Sequence, residues 1–215
     1  ILVSQDTLAY GRDLAGNGDI ADLLLALSDT KMPWIRPMYL HPAHVTERLV
    51  ARWARARVVP YLDMPVQHGD DGVLRAMRRA VTARRMKEIV AQFREAVPGV
   101  TVRTTVLVGF PGETETAFDN LLAFIEDVAF DRLGVFTYST EEGTPAATMA
   151  DPIPSATMTE RAELVEETQD RLALPRQKAL FGTMQTVLVD GPSLDRAFPF
   201  EGRLAGQAPE IDGVV

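Results

Sequence analysis

Cysteine is absent from all 215 residues. That excludes disulfides, thiolate nucleophiles, zinc ribbons and any iron–sulfur cluster ligated by this chain's own thiolates. A chain without disulfides is compatible with a cytoplasmic home. Histidine is scarce as well, at three residues. Metal ligation needs several converging ligands, and none is apparent near His41 and His44, so a surface or capping role at a helix start is expected for that pair. Long apolar runs are missing: residues 20–27 are interrupted by Asp22, and no segment is long enough to span a bilayer. Nothing resembles a secretory leader either. Positive charge is in deficit, with 22 Lys and Arg against 30 Asp and Glu and a net charge of −8. Such a surface repels phosphate backbones and suits a basic protein partner. An initial methionine is lacking, and both ends, Ile1 and Val214-Val215, are apolar, so the chain reads as a piece of a longer protein.

What is present is an ordinary globular balance, 46% apolar and 24% charged, in which two hydrophobic periods alternate. Residues 1–3 form a short apolar run. Ile20, Leu23, Leu24 and Leu27 recur at helical spacing behind Asp19, a fitting N-cap. Residues 34–40 read as extended, because Pro33 and Pro37 oppose helix. Val45, Leu49, Val50 and Trp53 predict a helix, and residues 58–62 a buried strand. Val73, Leu74 and Met77 suggest a short helix. Met86, Ile89, Val90, Phe93 and Val97 give a clear amphipathic one, stopped at Pro98-Gly99. Residues 100–108, rich in Val and Thr, read as a strand. A helix carrying Phe118, Leu121, Leu122, Ile125 and Val128 follows, then a strand at residues 133–138. A long helix is expected after Pro154, opened by Thr157 and Glu160 at capping-box spacing and kinked or interrupted at Pro175. A further strand at residues 184–189 leads into a Gly- and Pro-rich β and loop tail. The expected limits are residues 1–180 for one domain and 181–215 for an incomplete second one.

Strand and helix alternating about five times predicts an α/β fold, a parallel sheet joined by helical crossovers. The polar and Gly-rich segments all follow strands, where sites of such folds lie. Gln5-Asp6, Tyr39-Leu40-His41, Gln67-His68, residues 109–113 and Tyr138-Ser139 are therefore expected on one rim. The turn Gly109-Phe110-Pro111-Gly112-Glu113-Thr114 lets backbone approach a ligand, or is a tight turn capped by Thr114 or Glu113. It is not a Walker loop, since no Gly-Lys-Ser/Thr follows. Gln67 and His68 offer hydrogen bonds or a proton shuttle at a strand end, or are a loop pair that satisfies backbone groups. Arg75, Arg78, Arg79, Arg84, Arg85 and Lys87 read as a solvated basic face, or as a docking patch for an acidic or phosphate-bearing partner. Glu141 and Glu142 read as loop charge, or as a contact to a basic substrate.

Several of these segments together resemble the radical S-adenosylmethionine (SAM) methylthiotransferases. They are Tyr61-Leu62-Asp63-Met64-Pro65-Val66-Gln67-His68, Arg103-Thr104-Thr105 with Gly109-Phe110-Pro111-Gly112-Glu113-Thr114, and Tyr138-Ser139 with Glu141-Glu142-Gly143-Thr144. Leu2-Val3-Ser4-Gln5-Asp6-Thr7, Tyr10-Gly11-Arg12-Asp13-Leu14, and Trp34-Ile35-Arg36 with Tyr39 add to the likeness. The Ser-Gln-Asp-Thr and Gln-His forms are closer to the ribosomal-protein aspartate branch, the RimO type, than to the tRNA branch. The resemblance implies a partial parallel (β/α) TIM-like barrel followed by the start of a TRAM β domain, and a cytoplasmic enzyme. It implies a 4Fe–4S cluster that cleaves SAM to a 5′-deoxyadenosyl radical, followed by methylthio insertion at the β-carbon of an aspartate. The substrate so implied is small-subunit ribosomal protein number twelve, with an RNA contact through the TRAM segment and no membrane. The family's Cys-x-x-x-Cys-x-x-Cys loop has no counterpart here, so this chain alone should be inactive. By position, Leu107, Val108 and Gly109 would flank the adenosyl part, and Gln5, Gln67, His68 and Tyr138 would make polar contacts to SAM or peptide. The alternatives are the tRNA branch, a non-catalytic scaffold binding a ribosomal partner, and a cluster-independent barrel enzyme that holds a phosphorylated metabolite at the Gly109 turn.

Overall fold

A computed structural model describes residues 1–13 and 18–215; Leu14, the last residue of the Tyr10 to Leu14 motif, lies outside them. Its centre is a parallel sheet of β1 (Tyr61–Asp63), β2 (Thr101–Val108) and β3 (Arg132–Thr137), in chain order. Two shorter extended segments continue it. Leu40 N–H donates to the Asp63 carbonyl at 2.9 Å and Val59 N–H to that of Ile35 at 2.9 Å, which lays residues 35–40 beside β1. Leu2 in turn bridges Pro37 in parallel. Five extended segments thus stand side by side in the order of the sequence, as expected for part of a barrel.

Parallel neighbours need crossovers, and helices supply them. These are α1 (Ile20–Ser28), α2 (Glu47–Trp53), α3 (Asp71–Ala76), α4 (Ala83–Ala96) and α5 (Glu115–Val128), with α6 (Ser155–Lys178) after β3. Their starts are written in the sequence. Asp19 and Asp22 form a reciprocal capping box on α1, and Thr46, Asp70, Thr82 and Thr114 cap α2 to α5 through their side chains; each such cap stabilises by ~1 kcal/mol. Val45 precedes α2, in the turn after Pro42–His44.

The start of α6 differs from expectation. Pro154, with its fixed φ, leads straight into Ser155, so Thr157 already lies inside the first turn and no side-chain cap forms. Nor does Pro175 end the helix, which runs on to Lys178. The carbonyl that its missing N–H leaves is that of exposed Arg171, where water can satisfy it. No described helix is long and apolar enough to cross a membrane.

Along β2 burial alternates. Val102, Val106 and Val108 point into the main core with Met86, Ile89 and Phe93 of α4 and Leu121, Phe124 and Ile125 of α5. Arg103, Thr105 and Leu107 point the opposite way, into the concave side of the sheet. After α6 come β4 (Val187–Pro192) and β5 (Phe200–Leu204), an antiparallel pair with a bulge at Val189/Gly191.

The chain then folds beneath the end of the sheet where the strands begin. Ala205 and Ala208 pack on Met38, Val59 and Tyr61. Buried Arg36 lies 4.1 Å from the Tyr61 ring centre and donates to the carbonyls of Ala205 (2.9 Å) and Gln207 (2.8 Å). Arg132 Nε donates to the Gly206 carbonyl at 2.8 Å. The strand-start end is thereby closed, and the concave side opens where the strands finish.

Candidate active site

The concave side holds a cavity of about 420 Å³. Its walls are strand-end residues of all five segments: Gln5, Tyr39, Pro65, Gln67, Leu107 and Phe136, with Arg103 and Thr105 deeper along β2. His41 and Arg79 complete the rim. A second hollow of about 450 Å³ shares Gln67, Arg79 and Leu107 and extends to Phe110, Tyr138 and Ser139.

The floor is an ion network. Asp63 is wholly buried. One of its oxygens accepts from Arg103 Nη1 at 2.8 Å and the other from Tyr39 N–H at 2.9 Å. On its far side Arg103 Nε lies 3.8 Å from Asp212, which also accepts the Tyr61 hydroxyl and lies 3.6 Å from Arg132. Burial alone would depress the Arg103 guanidinium, but the Asp63 hydrogen bond and charge more than offset it and hold its pKa above the ordinary value. Two cavity residues carry left-handed backbone, Tyr39 (φ 57°) and Gln67 (φ 69°). Such conformations cost ~1–3 kcal/mol in a residue other than glycine and persist where the surroundings impose them. For Gln67 they do: its N–H donates to the Thr105 carbonyl at 3.0 Å, and its carbonyl accepts from Leu107 N–H at 2.8 Å.

The structure brings together only some of the residues singled out by sequence. Gln5, Gln67 and Leu107 meet in the cavity, and Tyr138 lines the adjoining hollow. Its ring stands edge-on to Phe110 at 5.4 Å, and its buried hydroxyl has no partner among the described residues. Val108 faces the helices, as the alternation of β2 with Leu107 requires.

His68 is wholly buried behind the rim. Its Nδ1 accepts from Asp70 N–H at 3.0 Å, so the proton sits on Nε2, 4.0 Å from Glu113. Burial pushes its pKa down to about 4, so the ring is neutral. Gly109 (φ 78°) is buried, and a Cβ there would collide with Met158. Its N–H and that of Phe110 donate to one oxygen of Glu113, whose other oxygen is 3.2 Å from buried Arg161. The amides that could have cradled an outside anion are therefore occupied by the chain's own carboxylate. Burial raises the pKa of Glu113 against the pull of those donors.

The basic run divides. Arg84 and Arg85 pair with Glu88, and Lys87 pairs with Asp127, on the surface. Arg79 instead turns into the cavity, because α3 ends on a left-handed Arg78 (φ 57°) with Arg79 N–H returning to the Leu74 carbonyl at 2.8 Å. Arg79, Arg103 and Thr105 thus line the cavity, although the sequence reading gave none of them a ligand contact there. The period-two pattern of β2 was the available signal for Arg103 and Thr105; for Arg79 the basic run offered a docking patch but not the turn that separates it from its neighbours. His41, read as a cap, does accept from Ala43 N–H at 3.2 Å but also faces the cavity. His44 is 2.6 Å from Asp6. Among the described residues no group of His, Cys, Asp and Glu could hold a metal ion.

Comparison with known proteins agrees with this fold. The chain is 45% identical over 215 residues, 99% of its length, to the ribosomal protein uS12 methylthiotransferase RimO of Anaeromyxobacter sp. (strain K), covering 46% of that protein. It is 41% identical over 216 residues to RimO of Geobacter sulfurreducens, covering 48% of it. The chain thus spans about half the length of the curated relatives it matches. Among solved structures, coproporphyrinogen III oxidase HemN of Escherichia coli, described as a radical SAM enzyme, shares the fold. The TM-score is 0.52 and the identity 19%, over 62% of this chain and 31% of HemN. Residues 6–125, more than half of the chain, match the Radical SAM superfamily. With parallel strands in chain order and a cavity at their finishing ends, the chain belongs to that superfamily.

Proposed function

We propose that this chain is the barrel portion of a ribosomal protein uS12 methylthiotransferase of the RimO type. The observation that carries the reading is identity of 41–45% along essentially the whole chain to proteins of that name. In this reading residues 1–180 are a partial radical SAM barrel and residues 181–215 begin a TRAM-like β domain; the change from parallel strands to the antiparallel β4–β5 pair supports that division.

SAM fits the cavity and its neighbour. The unpartnered Tyr138 hydroxyl and the Gln5 and Gln67 amides offer hydrogen bonds, Leu107 and Phe136 offer apolar wall, and the combined space suits a ligand of that size. A 4Fe–4S cluster does not fit the residues present, since the chain has no cysteine. Its ligands come from outside residues 1–215 in this reading. Bound SAM supplies the methyl group and, in such enzymes, the hydrogen-abstracting species. The chain's own contribution is orientation: the Asp63–Arg103 floor fixes the depth at which a ligand rests, and the strained Gln67 and Tyr39 hold their side chains at the rim.

The target is the β-carbon of an aspartate on uS12. The test is incubation of the parent protein, loaded with cluster, SAM and reductant, with uS12 and with tRNA, read by mass spectrometry. A methylthio group on a uS12 aspartate is expected. Modification of tRNA alone, or of neither, overturns the reading.

A further inference from the structure

β3 is the last strand of the sheet and pairs with β2 alone. In a parallel pair successive residues turn their N–H and C=O to opposite edges. Tyr138 N–H donates to the Val108 carbonyl at 2.9 Å, with Val108 opposite Thr137. That phase turns the backbone groups of Gly134 and Phe136 toward β2, and those of Leu133, Val135 and Thr137 to the open edge. Among the described residues nothing pairs with them there.

A bare edge invites another strand, and proteins that avoid this place Lys, Pro or a bulge on it. Residues 133–137 are Leu-Gly-Val-Phe-Thr, with none of these devices. The edge also borders the cavity, whose wall ends on Phe136, 63% exposed. The register sets Phe136 beside Leu107 in one inward row. A further strand, about 4.8 Å out, continues that row and hangs alternate side chains over the same cavity. The charge beside the edge has one sign. No Lys or Arg occurs between Arg132 and Arg161. Glu141, Glu142, Asp151 and Glu160 are exposed there and form no ion pair among the described residues.

We propose that the free edge of β3 takes up an extended, basic segment of the protein substrate as a further strand, with one of its side chains held over the cavity. Main-chain hydrogen bonds to Leu133, Val135 and Thr137 supply affinity, and the alternation of side chains selects which residue enters. The acidic loop after β3 attracts Lys or Arg flanking the segment and repels a phosphate backbone. The inference rests on the uS12 reading for the identity of that segment.

The experiment titrates the chain with a synthetic uS12 peptide carrying the target aspartate, read by residue-resolved amide exchange and by calorimetry. Exchange at Leu133, Val135 and Thr137 should slow by ~10-fold or more at saturation, while Gly134 and Phe136, already bonded to β2, change little. Peptides N-methylated at one residue at a time should lose ~3–10-fold in affinity at every second position, the scale of one hydrogen bond, and keep it at the positions between. Glu141→Gln together with Glu142→Gln should weaken binding at low salt and not at high salt. Losses without alternation, protection confined to other residues, affinity indifferent to the two glutamate substitutions, or no binding of the peptide overturns the proposal. Edge amides that slow with rising concentration of the chain alone also overturn it, because a second copy then holds the edge. Equal protection by a tRNA anticodon stem-loop does the same. Failure of the methylthiotransfer reading is distinguishable: the parent protein would leave uS12 unmodified while the alternating pattern persisted.

Discussion

His68 lies one residue beyond the rim residue Gln67, yet its geometry predicts a structural signature. The ring is wholly buried, accepts one backbone hydrogen bond through Nδ1 and has no partner at Nε2. Desolvation is the largest influence on it; Asp70 pulls its pKa up and Arg161 pushes it down, and the result lies near 4 against 6.5 when unfolded. Between those values the unfolded chain takes up a proton that the folded chain refuses. Stability is therefore complete above about pH 6.5 and is lost as pH falls toward 4, with a slope of up to ~1.4 kcal/mol per pH unit and a total of ~3 kcal/mol. In His68→Asn the amide oxygen can still accept Asp70 N–H, and the titration is gone. The smaller side chain should cost ~1–2 kcal/mol at pH 7 through the space it leaves. Urea unfolding from pH 7 to 4 should then give curves that cross, with wild type more stable at neutral pH and the variant near pH 4. Parallel curves would refute the buried neutral ring. Loss of SAM affinity in the variant would place His68 on the cavity after all.

Glu113→Ala orphans two buried amides and one arm of Arg161; it should destabilise by ~3–5 kcal/mol in urea unfolding. Gly109→Ala meets both a left-handed backbone and the Met158 side chain, and should lose ~2 kcal/mol or more by the same measurement. At Gln67 the backbone is left-handed but the N–H and carbonyl bonds are made, so Gln67→Gly should unfold within ~0.5 kcal/mol of wild type. The β-branched Gln67→Val should lose ~2 kcal/mol.

The architecture was largely legible because it rests on local signals. Asp19, Thr82 and Thr114 mark helix starts by their own chemistry, and the valines of β2 declare a buried face. Thr157-x-x-Glu160 misled because the same spacing occurs inside a helix that Pro154 has already started. The site was only partly legible. Position after a strand identified Gln5 and Gln67, but it could not distinguish Gln67, which turns toward the cavity, from His68, which turns into the core. Naming Leu107 and Val108 together set aside the two-residue period that sends them to opposite faces. Arg79 was illegible because its direction is set by a backbone turn at Arg78, a residue with no glycine or asparagine to announce it.

The two cavity arginines acquire different roles from what surrounds them. Asp212, from the tail, and Asp63, from β1, hold Arg103 from both sides, and the second oxygen of Asp63 holds the backbone of Tyr39 at the rim. The tail under the sheet is thus joined to the rim through one guanidinium, whose charge is balanced before any ligand arrives. An anion gains little there, because it must compete with two fixed carboxylates in a site that is already satisfied. Arg79 also lines the cavity, and among the described residues its only side-chain hydrogen-bond partner is the imidazole of His41. Were Asp63 an apolar residue, Arg103 would keep only Asp212 at 3.8 Å, and the Tyr39 N–H at the rim would lose its acceptor.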